Sequence, residues 1–100
     1  MHGTKVSVII PHWNGIDILS DCLESLSRNT YPNLEILVVD NASTDGSSDW
    51  ISLHYPNIKL IQNNKNYGYS GGCNRGAEAS SGDYLIFLNN DTVHNEDFIE

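Results

Sequence analysis

Three observations predict an α/β fold, a mostly parallel sheet with flanking helices. Short apolar runs alternate along the chain with segments of helical period, the pattern of βαβ units. Of those runs, Leu34–Val39 is apolar but for Glu35, and Tyr84–Leu88 is uninterrupted by polar residues, as in a strand buried on both faces of a covered sheet. Polar clusters follow the strands at once, Asp40-Asn41 after one and Asn89-Asn90-Asp91 after the other. In open α/β sheets, ligands bind outside the carboxyl ends of the strands.

Taken in order, Val6–Ile10 is a first strand, which Pro11 should end because it has no N–H for a central ladder. After the loop His12-Trp13-Asn14-Gly15, the residues Ile16, Leu19, Leu23 and Leu26 recur at helical spacing and predict a helix over Ile16–Arg28. Asn29-Thr30-Tyr31-Pro32-Asn33 breaks it. Leu34–Val39 is a second strand ending at Asp40, and a polar turn leads into a short helix over Ser48–His54, with Asp45 and Ser47 as its capping residues. Ile58–Ile61 is less apolar and belongs nearer an edge. A long polar loop, Gln62 to Tyr69, precedes a third helix over Gly71–Ser80 with Ser70 as its cap. Tyr84–Leu88 is the fourth strand. His94 to Glu100 reads as the start of a further helix, its first turn crowded with acids, and so predicts that the chain is the front part of a longer protein. Residues 1–100 are expected to form one domain.

Composition narrows the function. Hydrophobic residues at 39% and charged residues at 18% describe an ordinary globular chain. A net charge of −8 with only five scattered Lys and Arg excludes a nucleic-acid-binding face. No apolar run has the length of a membrane span and no signal peptide precedes Val6, so cytoplasm is the expected location, with contact to the inner face of a membrane left to other segments or partners. Cys22 and Cys73 lack the spacing of a redox pair or zinc site and are expected to be buried thiols. An acidic chain that binds a phosphate compound needs local charge compensation, which a divalent metal can supply.

The ends of parallel strands lie on one edge, so Pro11-His12-Trp13-Asn14, Asp40 and Asp91 should converge on one cleft. Asn89, Asn90 and Asp91 form either an ordinary turn or an oxygen-rich site for a hard cation and hydroxyl groups. Trp13 is either a lid on the core or an exposed ring on which a nucleobase stacks. His12 and His94 fall near the cleft but carry no more than the ordinary signal of a loop histidine. Neither a dinucleotide G-x-G-x-x-G after the first strand nor a P-loop occurs. Gly68-Tyr69-Ser70-Gly71-Gly72 opens a helix, where it serves either an anion or close helix packing. Asn41, Ser43, Asp45 and Gly46 mimic the start of a calcium loop, but Ser52 stands where such a loop needs a bidentate Glu.

Four stretches together carry a resemblance: Val6 to Asn14, Glu35 to Ser47, Asn66 to Gly76 and Phe87 to Thr92. In order and spacing they resemble the amino-terminal half of family 2 inverting glycosyltransferases of the GT-A fold, the rhamnosyltransferase-like members above all. The resemblance implies a Rossmann-like nucleotide-sugar-binding half. It implies that Asp40 hydrogen-bonds the pyrimidine base of a UDP- or dTDP-sugar donor, with Pro11 and Trp13 lining or stacking on that base. Asn89-Asn90-Asp91 stands in for the family's D-x-D, with Asp91 binding Mg²⁺ or Mn²⁺ across the diphosphate and Asn90 facing the ribose or donor sugar. Only the last of these positions is a carboxylate, which should weaken metal affinity. Gly68 and Asn74 match the family pattern without an assigned role.

The implied reaction transfers the sugar with inversion to a saccharide or lipid-linked acceptor, as in cell-wall or polysaccharide biosynthesis. Its general base is expected beyond Glu100, so the chain should bind nucleotide and transfer little or no sugar. Two rivals differ in kind. A sugar nucleotidyltransferase would want a basic, glycine-rich loop where His12-Trp13-Asn14-Gly15 stands, and a receiver-like interaction domain would bind Mg²⁺ at Asp40 and Asp91 without nucleotide. An uncovered edge strand would leave a homodimer open.

Overall fold

The computed structural model describes residues 4–28 and 31–88. Its elements run β1 (Val6–His12), α1 (Ile16–Ser27), β2 (Leu34–Asp40), α2 (Ser47–His54), β3 (Lys59–Gln62), α3 (Gly68–Ala79) and β4 (Tyr84–Phe87). The four strands form one parallel sheet in the order β3-β2-β1-β4. This is a Rossmann-like α/β architecture, as predicted. No described helix is long and apolar enough to cross a membrane.

Period-two alternation sorts the strand residues into two layers. Val8, Ile10 and Val38 pack with Leu19, Cys22, Leu23 and Leu26 of α1 and Ile51 of α2. Ile9, Leu37 and Val39 face the other way, against Ile61 and against Ala77 and Ala79 on α3. The two helical layers differ in how they approach. The apolar stripe of α1 inserts large side chains, whereas α3 presents Gly72 and Gly76. A Cβ at Gly72 would lie 2.8 Å from the Pro11 ring, and one at Gly76 would collide with Ile9 and Val39. The glycines therefore let the α3 backbone settle directly on the sheet, and the packing reading of Gly72 is the one observed.

Several boundaries differ from expectation, each for a physical reason. β1 does not end at Pro11 but pairs with β2 through Pro11↔Val39 and His12↔Asp40. Alternate residues of a central strand direct their N–H and C=O to opposite neighbours. His12 C=O accepts from Asn41 on the β2 side at 2.8 Å, while Ile9 C=O accepts from Leu88 on the β4 side at 3.0 Å. Pro11 shares the β4 side with Ile9, so its missing N–H removes a rung on the β4 side and leaves the β2 ladder intact.

β4 is not buried on both faces. Among the described residues it pairs only with β1, at the edge of the sheet, and Tyr84, Leu85 and Phe87 are exposed. An unbroken apolar run thus marked an edge strand here. β3 is the opposite edge, as its weaker apolar character predicted. α3 begins at Gly68, so Ser70 lies inside its first turn instead of capping it, and the Gly68 N–H is taken at 2.8 Å by the Asn66 side chain. α2 begins at Ser47 with Gly46 before it, and Asp45 accepts from the Ser47 N–H at 3.1 Å. Cys22 is buried as expected, but Cys73 is only half-buried; it hydrogen-bonds Tyr69, and burial pushes its thiol above the ordinary range.

Candidate functional site

At the carboxyl edge of the sheet, alternation decides which way each strand-end residue turns. His12 and Asp40 continue the parity of Ile10 and Val38 and face the α1/α2 layer. Pro11 and Asn41 continue that of Ile9 and Val39 and face α3. The hydrogen bonds follow this division. His12 Nε2 lies 2.9 Å from the Ser47 hydroxyl at the start of α2, whereas the Asn41 amide donates to the Gly68 carbonyl at 3.2 Å at the start of α3.

Asp40 is 2% exposed. Its carboxylate accepts from the Ser43 N–H at 3.2 Å, from the Ser43 hydroxyl and from the Ser48 hydroxyl at 2.7 Å, so it anchors the β2–α2 loop. Ser43 in turn accepts from the Asn14 N–H at 2.8 Å. Asn14 Oδ1 accepts from the Thr44 N–H at 2.8 Å, and Asp45 accepts from the Gly15 N–H at 2.6 Å. The β1–α1 and β2–α2 loops are therefore joined side by side. Burial pushes the His12 imidazole below its ordinary value, with the Asp40 and Asp45 carboxylates pulling weakly the other way. It is a neutral, structural histidine at neutral pH. For Asp45, burial raises the carboxyl, but the bonds from Ser47 and Gly15 outweigh it and hold the group below the usual range.

On the α3 side an open concavity of about 180 Å³ is lined by Pro11, His12, Trp13, Asn41, Asn66, Gly68 and Tyr69. Trp13 and Tyr69 are each about half exposed on it, at 53% and 49%. The volume is small beside the roughly 300–1,000 Å³ of pockets that enclose drug-sized ligands, and suits one flat ring system with the rest of a ligand lying outside. Asn41 holds its rim together. Besides its bond to Gly68, its Oδ1 accepts from Asn63 Nδ2 at 2.8 Å and from the Tyr67 N–H at 3.4 Å. The Tyr67 ring carries the Arg75 guanidinium at 3.9 Å and the Lys65 ammonium at 5.1 Å, which gathers two of the chain's five basic residues beside the concavity.

Of the residues expected at the site, Pro11 and Trp13 line the concavity together. Asp40 lies at the same edge but directs its carboxylate into the β2–α2 loop. Asn90, Asp91 and His94 lie outside the described residues. Among the described residues no group of three or more His, Cys, Asp and Glu could hold a metal ion. The sequence reading missed Asn41 and Tyr69 as lining residues. Asn41 was recoverable: one step beyond Asp40, period two must turn it to the opposite layer. Tyr69 had no comparable signal, because it comes from the first turn of a helix whose start was placed three residues late.

The fold and this aromatic-lined edge define a Rossmann-like α/β domain with an open concavity at its carboxyl edge. Comparison with known proteins makes the class specific. Residues 7–100 match the profile described as Glycosyl transferase family 2, and the chain belongs to that family. A protein of Rickettsia felis described as an uncharacterized glycosyltransferase is 37% identical over 100% of this chain and 17% of its own length. The poly(ribitol-phosphate) beta-glucosyltransferase of Bacillus spizizenii is 36% identical over 87% of this chain and 15% of its own. The crystal structure of S. aureus TarS 1-349 in complex with UDP superposes with a TM-score of 0.87 at 27% identity, covering 96% of this chain and 30% of that one. The mannosyltransferase PcManGT from Pyrobaculum calidifontis, in complex with GDP-Man and Mn²⁺, gives 0.79 at 27% identity, covering 89% and 28%. The chain thus spans less than a third of each of these proteins.

Proposed function

We propose that this chain is the donor-binding part of a glycosyltransferase that moves a sugar from a nucleoside-diphosphate sugar to an acceptor hydroxyl with inversion. The observation that carries the reading is the concavity at the carboxyl edge, where Trp13 and Pro11 offer a flat apolar wall of the kind on which a base stacks. The similarity to proteins solved with UDP and with GDP-Man supports a nucleotide donor, and the ribitol-phosphate relative supports a saccharide or polymer acceptor.

In this reading Pro11 and Trp13 bind the base, and Asn90 faces the ribose or sugar. Asp40 accepts from the base once Ser43 or Ser48 releases one of its oxygens. Asn89, Asn90 and Asp91 are oxygen donors, which suit Mg²⁺ or Mn²⁺, and Asp91 is the carboxylate assigned to hold the ion. A divalent cation there offsets the charge of the diphosphate as it leaves. The general base that takes the acceptor's proton is assigned to sequence beyond Glu100, so the chain alone binds donor and turns over little or none.

Calorimetric titration of UDP, dTDP and GDP, with and without Mn²⁺, tests this on the wild-type chain and on Trp13→Ala, Asp40→Asn and Asp91→Ala. Pyrimidine nucleotide binding that weakens in all three variants is expected. Tighter binding of GDP would transfer the donor to the guanosine class of the mannosyltransferase relative, and undiminished binding by Trp13→Ala would remove the base from this concavity.

A further inference from the structure

The hydrogen bonds joining the β1–α1 and β2–α2 loops have a geometry that points at Trp13. That residue sits between two fixed neighbours. On one side His12 ends β1, in register with Asp40 and bonded to Ser47. On the other, Asn14 and Gly15 take consecutive left-handed conformations, with φ of 51° and 102°. Asn tolerates that region better than most residues, yet it is unfavourable for any side chain with a Cβ and needs local bonds to hold it.

The opposite loop supplies them. The Asn14 N–H donates to Ser43, the Asn14 amide exchanges bonds with Thr44 through Oδ1 (2.8 Å) and Nδ2 (3.5 Å), and the Gly15 N–H donates to Asp45. Asp45 is itself tied to Ser47 through both the N–H and the hydroxyl, and Ser47 reaches back to His12. The bonds close a ring around Trp13, running from His12 through Ser47, Asp45 and Gly15 to Asn14. None of the bonds in that ring uses the indole, which stays half exposed on the concavity.

We infer that Asn14 and Asp45 are positioning residues: they lock the Trp13 backbone so that its ring is a preorganised wall for the nucleobase, and they act on the ligand only through it. The inference rests on the donor-site reading above. Preorganisation matters because every side chain ordered on binding subtracts from affinity. An indole already held in place takes up the base without that cost.

The test uses the full chain with Trp50→Phe, so that Trp13 is the single tryptophan. Asn14→Gly keeps the left-handed backbone accessible while removing the amide. Asp45→Ala removes the Gly15 acceptor and Asp45→Asn restores an acceptor. Expected results are UDP affinity reduced roughly tenfold in Asn14→Gly and Asp45→Ala, within the range that loss of base stacking produces. Trp13 fluorescence anisotropy should fall in the same two variants without ligand, and Asp45→Asn, which keeps one of the two acceptor oxygens, should lie between wild type and Asp45→Ala in both measurements. If Asp45→Ala does not fold, Asn14→Gly carries the test. Unchanged UDP affinity and unchanged anisotropy in Asn14→Gly would overturn the inference. If the wild-type chain binds no nucleotide, the donor-site reading is what fails. The anisotropy then decides the clamp alone: a fall supports it and no change overturns it.

Discussion

The two ends of the sheet carry similar polar residues and use them in opposite ways. At the amino end, Glu35 accepts from the Ser7 hydroxyl at 2.7 Å and from the Ser81 N–H and hydroxyl at 3.0 and 3.1 Å, with the Lys5 ammonium at 3.7 Å. Ser7 also accepts from the Gly82 N–H at 2.8 Å. Those groups satisfy one another across β1, β2 and the α3–β4 turn and close that end. At the carboxyl end the loops also bond to each other, but the bonds run beneath and beside an open concavity that two aromatic rings line. The difference teaches that polar density alone does not mark a site. What marks it is polar groups that fix a backbone while leaving apolar surface uncovered.

The largest expected effect is at the closed end. A Cβ at Gly82 would run into the Ser7 backbone nitrogen at 2.6 Å as well as its side chain, so Gly82→Ala should cost about 2 kcal/mol and lower the melting temperature by roughly 10 °C, with UDP affinity unchanged. Trp13→Ala should do the reverse: binding weaker by about 10- to 100-fold, with a melting temperature within a few degrees of wild type. Should both substitutions lower both quantities, the two ends are not separable. Glu35→Ala leaves donors from Ser7 and Ser81 without their acceptor and should cost about 1–2 kcal/mol in urea unfolding, again without effect on nucleotide.

Acid should sharpen the same contrast most gently. Burial pushes the Glu35 carboxyl up, but the bonds from Ser81 and Ser7 and the Lys5 charge outweigh it and hold the group below its ordinary value of 4.5. The stability it adds is present above that value and is lost as pH falls below it. His12 is depressed below 6.5 by burial, so the unfolded chain takes up a proton first. Stability therefore starts to fall as pH drops through 6.5, before Glu35 contributes. Urea midpoints measured from pH 8 to pH 4 should show a first decline that is absent in His12→Gln and a second, lower one that is reduced in Glu35→Gln, with Asp45 contributing the remainder.

How much of this was legible in the sequence depends on which physical rule was read. Helical spacing in Ile16, Leu19, Leu23 and Leu26 located α1, and the apolar runs located all four strands, because period and burial are local properties. The edge position of β4 was not legible, since strand order is a property of topology and Tyr84 to Leu88 reads the same in the middle of a sheet as at its rim. Pro11 was read as a full stop because the sequence does not say which neighbour its nitrogen faces. At the site, Pro11 and Trp13 were found by their place after β1. The bonds from Ser43 and Ser48 to Asp40 and the exposure of Tyr69 depend on loop geometry that no spacing encodes.

Pro11 has one more consequence. β1 and β4 are fastened like a zip, and the next tooth would need the hydrogen that proline lacks. At Pro11, β1 therefore has no N–H to offer the Leu88 carbonyl, and the fastening at this edge is limited by an absent atom. An alanine scan of this region would score Pro11 as a small loss of ring packing. It would overlook that Pro11→Ala also restores the missing donor and offers the Leu88 carbonyl one more rung.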